Sequence, residues 1–97
     1  MRPSEALEQN REAIRALVVR HRTANPRVFG SVLHGADSER SDLDILVDTL
    51  PETTTLFDLG GLQVELEDLL GVRVDVRTPA ELSKTFRDEV LSEARAV

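Results

Sequence analysis

The chain has 97 residues, 31% of them charged, and a formal net charge of −6 at pH 7. Its length suits a single domain, residues 1–97, with one modest core, and its lack of cysteine excludes disulfides and thiolate metal sites. The net acidity and the scarcity of aromatic residues (three Phe, no Trp, no Tyr) argue against direct nucleic-acid binding, which basic surfaces and stacked rings usually mediate.

The N-terminal residues Met1–Glu5 are polar, and no apolar run follows them. No stretch of the chain approaches the roughly 20 apolar residues that a transmembrane helix needs. We therefore expect a cytoplasmic protein without membrane contact.

The first predicted element is an amphipathic helix over residues 5–22, whose apolar side chains recur at helical spacing at Leu7, Ile14, Leu17 and Val18. Asn25-Pro26 is expected to end this helix. Arg27–Phe29 are predicted as a short strand that leads into Gly30. Residues 31–35 are predicted to start a short helix, whose N-terminal N–H groups would point toward a bound phosphate.

A second strand, Leu43–Asp48, is predicted from alternating apolar side chains at Leu43, Ile45 and Val47. Side chains two residues apart share one face of a strand, so Asp42 and Asp44 are expected to stand together on the face away from the core. Two carboxylates that close repel and raise each other's pKa, unless a cation binds between them. Carboxylate oxygens suit Mg²⁺. The alternative interpretation of a bare Asp-x-Asp is a solvated acidic edge strand.

The pair Gly30-Ser31, with ten residues between Ser31 and Asp42, favours a functional site over a solvated edge. A Gly-Ser turn can present backbone N–H groups and a hydroxyl to phosphate oxygens. Phosphate binding beside carboxylates that hold a metal is the combination that phosphoryl and nucleotidyl transfer need.

A second amphipathic helix is predicted from about Thr55 to Leu70, with Gly71 as its C-terminal stop. Val72–Arg77 are predicted as a third strand. Thr78–Glu81 have the pattern of a capping box with Pro at the first helical position, which predicts a last helix with apolar residues on one side: Leu82, Phe86, Val90, Leu91 and Ala94. The predicted fold class is α/β (α+β), a small mixed β-sheet of three to four strands with helices on one face.

Asp75 lies in the third predicted strand, on the face away from its three valines. If this strand pairs beside the second one, Asp75 reaches Asp42 and Asp44, and three carboxylates converge from two strands. An aspartate between Arg73 and Arg77 can also serve only to balance charge, and that alternative stays open at this point.

The run Gly30-Ser31, ten residues, Asp42-x-Asp44, with Asp75 on a later strand, resembles the DNA polymerase β-like nucleotidyltransferase superfamily. The short length is similar to that of its minimal nucleotidyltransferases, stand-alone proteins often paired with HEPN-domain toxins. The resemblance covers residues 26–78 directly.

The resemblance implies roles for individual residues. Asp42, Asp44 and Asp75 would be the catalytic residues and would bind two Mg²⁺ ions, with ATP as the substrate. The nucleotide would be held by Gly30, Ser31, His34 and Ser41. One position departs from the pattern, because minimal family members often have Ala-Arg where this chain has Leu33-His34. A permanent positive charge near the phosphates thereby becomes a titratable one.

The function implied is Mg²⁺-dependent transfer of AMP from ATP to a hydroxyl, the tyrosine of a partner HEPN-type ribonuclease toxin, so that the chain is an antitoxin. The alternative is a non-catalytic antitoxin or nucleotide-binding module that neutralises its partner by direct contact. Transfer to a small molecule is a third interpretation, but a chain of 97 residues leaves little room for the added acceptor pocket.

Overall fold

A computed structural model describes all 97 residues and contains five α-helices, four β-strands and one short 3₁₀ helix. In chain order these are α1 (Pro3–Gln9), α2 (Arg11–Arg20), β1 (Thr23–Phe29), α3 (Gly30–Leu33), β2 (Leu43–Thr49), α4 (Leu56–Leu70), β3 (Val74–Arg77), the 3₁₀ helix (Pro79–Glu81), α5 (Lys84–Glu93) and β4 (Arg95–Ala96). None of these helices has both the length and the apolar character needed to cross a membrane.

The four strands form one mixed sheet in the order β3-β2-β1-β4. β1 is antiparallel to both β2 and β4, whereas β2 and β3 are parallel. Parallel neighbours need a crossover connection, which is usually helical, and here α4 is that connection. The predicted mixed α/β sheet is therefore confirmed, and β3 lies at one edge of it.

One face of the sheet packs against the helices and forms the core. The alternating residues Leu43, Ile45 and Val47 of β2 are fully buried there, as the sequence pattern predicts. They belong to a cluster that also includes buried residues of the helices and of β3, namely Ile14, Val18, Leu62, Leu66, Val74 and Val76. This packing sets the direction of the other side chains of β2 and β3, because neighbouring residues of a strand point to opposite faces.

The N-terminal helix is divided, where the sequence predicts one helix over residues 5–22. Asn10 ends α1 and precedes α2, and its Nδ2 donates to the carbonyl oxygen of Ala6 at 2.9 Å. An asparagine side chain that bonds to a nearby carbonyl competes with the helical backbone pattern. The prediction that Asn25-Pro26 ends the helix is also wrong. α2 ends at Arg20, and Pro26 lies inside β1, at an irregularity in the pairing of β1 with β2. Such irregularities are places where a strand tolerates proline.

The C-terminal segment also differs from the prediction of one helix. Thr78 and Glu81 form the predicted capping box, but the turn they cap is the 3₁₀ helix, and α5 begins only at Lys84. The chain then forms β4, which pairs with Arg27 and Val28 of β1. Two residues are too few for a recognisable strand pattern.

The face that carries the carboxylates is partly covered. Leu46 points away from the main core but is fully buried, and Leu82 is almost fully buried. The 3₁₀ helix packs against β2 on this side. The segment after β3 therefore covers Leu46.

Candidate functional site

The Gly-Ser turn lies directly against the second carboxylate. Phe29, the last residue of β1, pairs with Asp44 of β2. Gly30 follows with φ of +73°, and a β-carbon added to it would overlap Oδ2 of Asp44 and lie 3.0 Å from its Cγ. Both the positive φ and the close approach require glycine. The backbone of the turn therefore reaches the carboxylate with no side chain between them.

The register of β2 and β3 aligns two of the predicted carboxylates. Asp44 and Asp75 are Cα partners in the parallel pair, and Asp42 immediately precedes β2. Burial raises the pKa of Asp44 to about 6, with further contributions from the charges of Asp75 and Asp42, and Arg77 partly opposes them. The three carboxylates thus share one electrostatic environment.

Asp42 and Asp75 each form an ion pair with an arginine, whereas Asp44 forms none. Arg73 Nε lies 3.0 Å from Oδ1 of Asp42, and Arg77 Nε lies 3.0 and 3.1 Å from the two carboxylate oxygens of Asp75. The Arg73 contact is an ion pair without a hydrogen bond, since Asp42 Oδ1 is buried and accepts none. Asp44 forms neither a hydrogen bond nor an ion pair with any other side chain.

These side chains suit a divalent cation in their chemistry. The structure contains no group of three or more His, Cys, Asp or Glu side chains arranged closely enough to hold a metal by themselves. Asp42 nevertheless keeps a buried oxygen without a hydrogen bond, and Asp44 has a carboxylate without a counter-ion. A Mg²⁺ ion usually takes only one or two carboxylates from a protein and completes its shell with water and substrate phosphates. The residues present therefore fit such an ion.

The other predicted nucleotide-binding residues lie in different surroundings. Ser31 follows Gly30 in α3, and its hydroxyl has no hydrogen-bond partner in the chain. Ser41 precedes Asp42, but its hydroxyl accepts a hydrogen bond from the backbone of Ser38 at 2.9 Å. His34 Nε2 lies 3.2 Å from Oε2 of Glu93 at the end of α5. Gly30 and Ser31 thus adjoin the carboxylates, whereas Ser41 and His34 contact other parts of the chain.

Sequence reasoning assigned no site role to the residues that flank Asp75. Beside this carboxylate is a cleft of about 250 Å³ that is lined by Phe29, Asp75, Arg77, Glu81, Leu82 and Phe86. The alternation Arg73-Asp75-Arg77 was a signal that the arginines share the face of Asp75. The aromatic wall had no sequence signal, because Phe86 reaches the cleft only through the fold of the C-terminal segment.

Comparison with known proteins gives three consistent findings. The family model for the nucleotidyltransferase domain matches residues 7–97. A candidate protein adenylyltransferase of Methanocaldococcus jannaschii is 37% identical over 78 residues, which cover 80% of this chain and 83% of that relative. The protein adenylyltransferase MntA of Thermococcus cleftensis is 42% identical over 66 residues, 68% of this chain and 66% of MntA.

Solved structures extend the likeness to three dimensions. A candidate minimal nucleotidyltransferase superposes with a TM-score of 0.86 at 45% identity, over 97% of this chain and 95% of that chain. A toxin–antitoxin complex with AMP-PNP superposes with a TM-score of 0.74 at 22% identity, over 90% of this chain and 71% of that chain. The second likeness is one of fold alone.

Proposed function

The chain belongs to the nucleotidyltransferase domain family, and on that basis we propose that it transfers AMP from ATP to a tyrosine hydroxyl of a partner HEPN-type ribonuclease toxin, in a Mg²⁺-dependent reaction. AMP on that tyrosine would silence the toxin, so the chain would act as an antitoxin in the cytoplasm. Residues 1–97 would form one minimal nucleotidyltransferase domain. The T. cleftensis relative, a protein adenylyltransferase by name, supports a protein as the acceptor.

The observation that carries this proposal is that Gly30 lies against Asp44 and that Asp44 is paired with Asp75 on the next strand. The turn abuts Asp44 without an intervening side chain, and Asp75 is the partner of Asp44 on the next strand. A phosphate held by the turn would therefore lie beside the two carboxylates. Nucleotidyl transfer needs phosphate binding and a carboxylate-held cation at one place.

The transfer step can be written for these residues. The tyrosine oxygen forms a bond to the α-phosphorus of ATP, the bond from that phosphorus to the oxygen bridging to the β-phosphate breaks, and pyrophosphate leaves. The proton of the hydroxyl passes to solvent by way of Asp75, which lies on the open edge strand. Ser31 and the backbone of Gly30 hold the triphosphate. Divalent cations held by Asp42, Asp44 and Asp75 would neutralise charge on the phosphate oxygens.

The cleft beside Asp75 supports an aromatic acceptor. Phe29 and Phe86 line it, and Phe86 is 44% exposed, so the cleft opens to the outside. Aromatic rings pack well against each other in offset or edge-to-face arrangements. A tyrosine ring placed between these phenylalanines would bring its hydroxyl toward Asp75.

Co-expression with the toxin partner tests the proposal. Intact-mass analysis of the partner should show added AMP, and the Asp42→Asn/Asp44→Asn double variant should add none. Asp88→Asn is the matched control, since Asp88 is exposed on α5 and forms no ion pair. An unmodified toxin that wild-type protein still neutralises would contradict the proposal.

One observation favours the second candidate function, neutralisation by direct contact. α4 presents apolar side chains on its outer surface, where Leu56, Phe57 and Val64 are 85%, 91% and 56% exposed. Exposed apolar patches of this kind often mark protein interfaces. If the Leu56→Ser/Phe57→Ser variant lost neutralisation while the Asp42→Asn/Asp44→Asn variant kept it, contact would be the better account.

A further inference from the structure

Arg73 and Arg77, at the two ends of the edge strand β3, each place a positive charge beside a carboxylate of the site. Arg73 immediately precedes β3 and pairs with Asp42 across to β2, whereas Arg77 ends β3 and pairs with Asp75 two residues earlier. Both guanidinium groups lie on the carboxylate face, because residues 73, 75 and 77 alternate with the buried Val74 and Val76.

We propose that Arg73 and Arg77 are internal counter-ions of the metal-free site, which an incoming divalent cation must displace from Asp42 and Asp75. This inference rests on the proposed function, since it takes these carboxylates as metal ligands. It assigns to the two arginines a role in setting metal affinity.

The contacts support competition for the same oxygens. Arg77 Nε is within 3.1 Å of both carboxylate oxygens of Asp75, so a cation bound there would lie close to the guanidinium and be repelled by its charge. Arg73 Nε is 3.0 Å from Oδ1 of Asp42. That oxygen accepts no hydrogen bond, so charge alone links Arg73 to Asp42, although Arg73 also donates to the carbonyl oxygen of Arg40 at 3.0 Å.

Displacement is feasible because both arginines are exposed to solvent. The side chains of Arg73 and Arg77 are 73% and 45% exposed. Exposed ion pairs are weak, and a divalent cation can outweigh them. Once released, the guanidinium groups remain beside the site, and their planar fork suits phosphate oxygens. They would then supply the permanent charge that His34 does not.

Binding of Mn²⁺ in the absence of nucleotide is the first test. Arg73→Gln and Arg77→Gln should each bind Mn²⁺ up to about fivefold more tightly than wild type, the factor that corresponds to an exposed ion pair. Arg95→Gln is the control for net charge, because Arg95 is exposed on β4 and forms no ion pair. Unchanged or weaker Mn²⁺ binding in both site variants, or equal tightening in Arg95→Gln, would overturn the inference.

Nuclear magnetic resonance of the wild-type protein gives a second test that needs no substitution. During a Mg²⁺ titration, the Nε–H signal of Arg77 should shift and saturate with the binding isotherm. The Nε–H of Arg22, which donates to Asp58 at 3.3 Å, is the internal control and should not move. An unmoved Arg77 signal at calorimetric saturation with Mg²⁺ would overturn the inference and leave the proposed function intact. If neither Mg²⁺ nor Mg²⁺ with ATP bound, both would fall.

Discussion

Gly30 and Asp44 lie so close together that the space between them admits only one side chain, and Asp44 fills it. A β-carbon on residue 30 would lie 3.3 Å from the β-carbon of Asp44 and would overlap its Oδ2. The glycine of the proposed phosphate-binding turn and the aspartate of the proposed metal site therefore form one steric unit. The cost of this contact can be separated from the cost of a positive φ. Gly35 and Gly71 also have positive φ, but a β-carbon at either position meets nothing within 4 Å.

Gly30→Ala should be much more destabilising than Gly71→Ala. Both glycines have positive φ, +73° and +67°, but a β-carbon at Gly71 meets nothing within 4 Å. The left-handed conformation costs a non-glycine residue about 1–2 kcal/mol, and overpacking adds about 1–3 kcal/mol at Gly30 alone. Urea unfolding of the two variants measures the difference.

The double variant Gly30→Ala/Asp44→Ala identifies the cause. Removing the carboxylate removes the overlapping oxygen, so the double variant should recover most of the stability that the clash cost. Strictly additive losses would mean that the contact with Asp44 is not the reason for glycine at this position.

Asp44→Asn should stabilise the metal-free protein at neutral pH. The pKa of Asp44 is raised from 3.8 to about 6 in the folded protein, so ionisation above pH 6 disfavours the folded state. Two pKa units correspond to about 2.7 kcal/mol, and screening at this half-buried group reduces the expected gain to about 1 kcal/mol. The gain should be complete above pH 6, shrink as the pH falls, and vanish below pH 4, where Asp44 is protonated in both states.

Urea unfolding of wild type and Asp44→Asn at pH 4, 5, 6 and 7.5 measures this dependence, with Asp88→Asn as the surface control. A gain that is equal at all four pH values would show that it does not come from ionisation of Asp44.

Mg²⁺ with ATP should stabilise the wild-type chain more than ATP alone. A ligand that binds only the folded state raises its stability by mass action, and each 1 kcal/mol raises Tm by about 4–8 °C in a domain of this size. Asp44→Asn should abolish the extra shift, because it removes the carboxylate that lacks any other counter-ion. Thermal unfolding is the measurement, and equal shifts in wild type and variant would contradict the site assignment.

His34→Arg should retain ATP binding and strengthen it at pH 8. The contact of His34 with Glu93 is exposed on both sides, so little free energy opposes its rotation toward a phosphate. An arginine carries a permanent positive charge and a planar fork of donors that suits phosphate oxygens. Calorimetric titration with ATP at pH 6 and pH 8 measures the effect, and identical affinities for wild type and variant at both pH values would make His34 a bystander.

Local patterns predicted the elements that form the site. The alternation in Leu43–Asp48 fixed which face of β2 is buried, and therefore where Asp42 and Asp44 point. The end of α4 at Gly71, with φ of +67°, was equally clear. These features depend on the chain within a few residues, which is why a sequence pattern reveals them.

Features that depend on contacts between distant segments could not be predicted in the same way. The sequence alone leaves the pairing of Asp44 with Asp75 open, because register is set by the packing of whole strands. At the break between α1 and α2, the side chain of Asn10 donates to the carbonyl oxygen of Ala6, a contact that the apolar spacing of this segment does not reveal. The contact between His34 and Glu93 exists because α5 and β4 return to β1, and no local pattern announces that return.

The crossover connection through α4 also determines the stage of folding at which the site can form. Asp44 and Asp75 become neighbours only when β3 docks beside β2 after the whole helix. Pairing between segments distant in sequence is slow, since the entropy of loop closure is lost before the contacts form. If β3 docks after the rate-limiting step, the repulsion between the carboxylates of Asp44 and Asp75 is absent from the transition state for folding. Asp44→Asn would then slow unfolding at neutral pH and leave the folding rate almost unchanged.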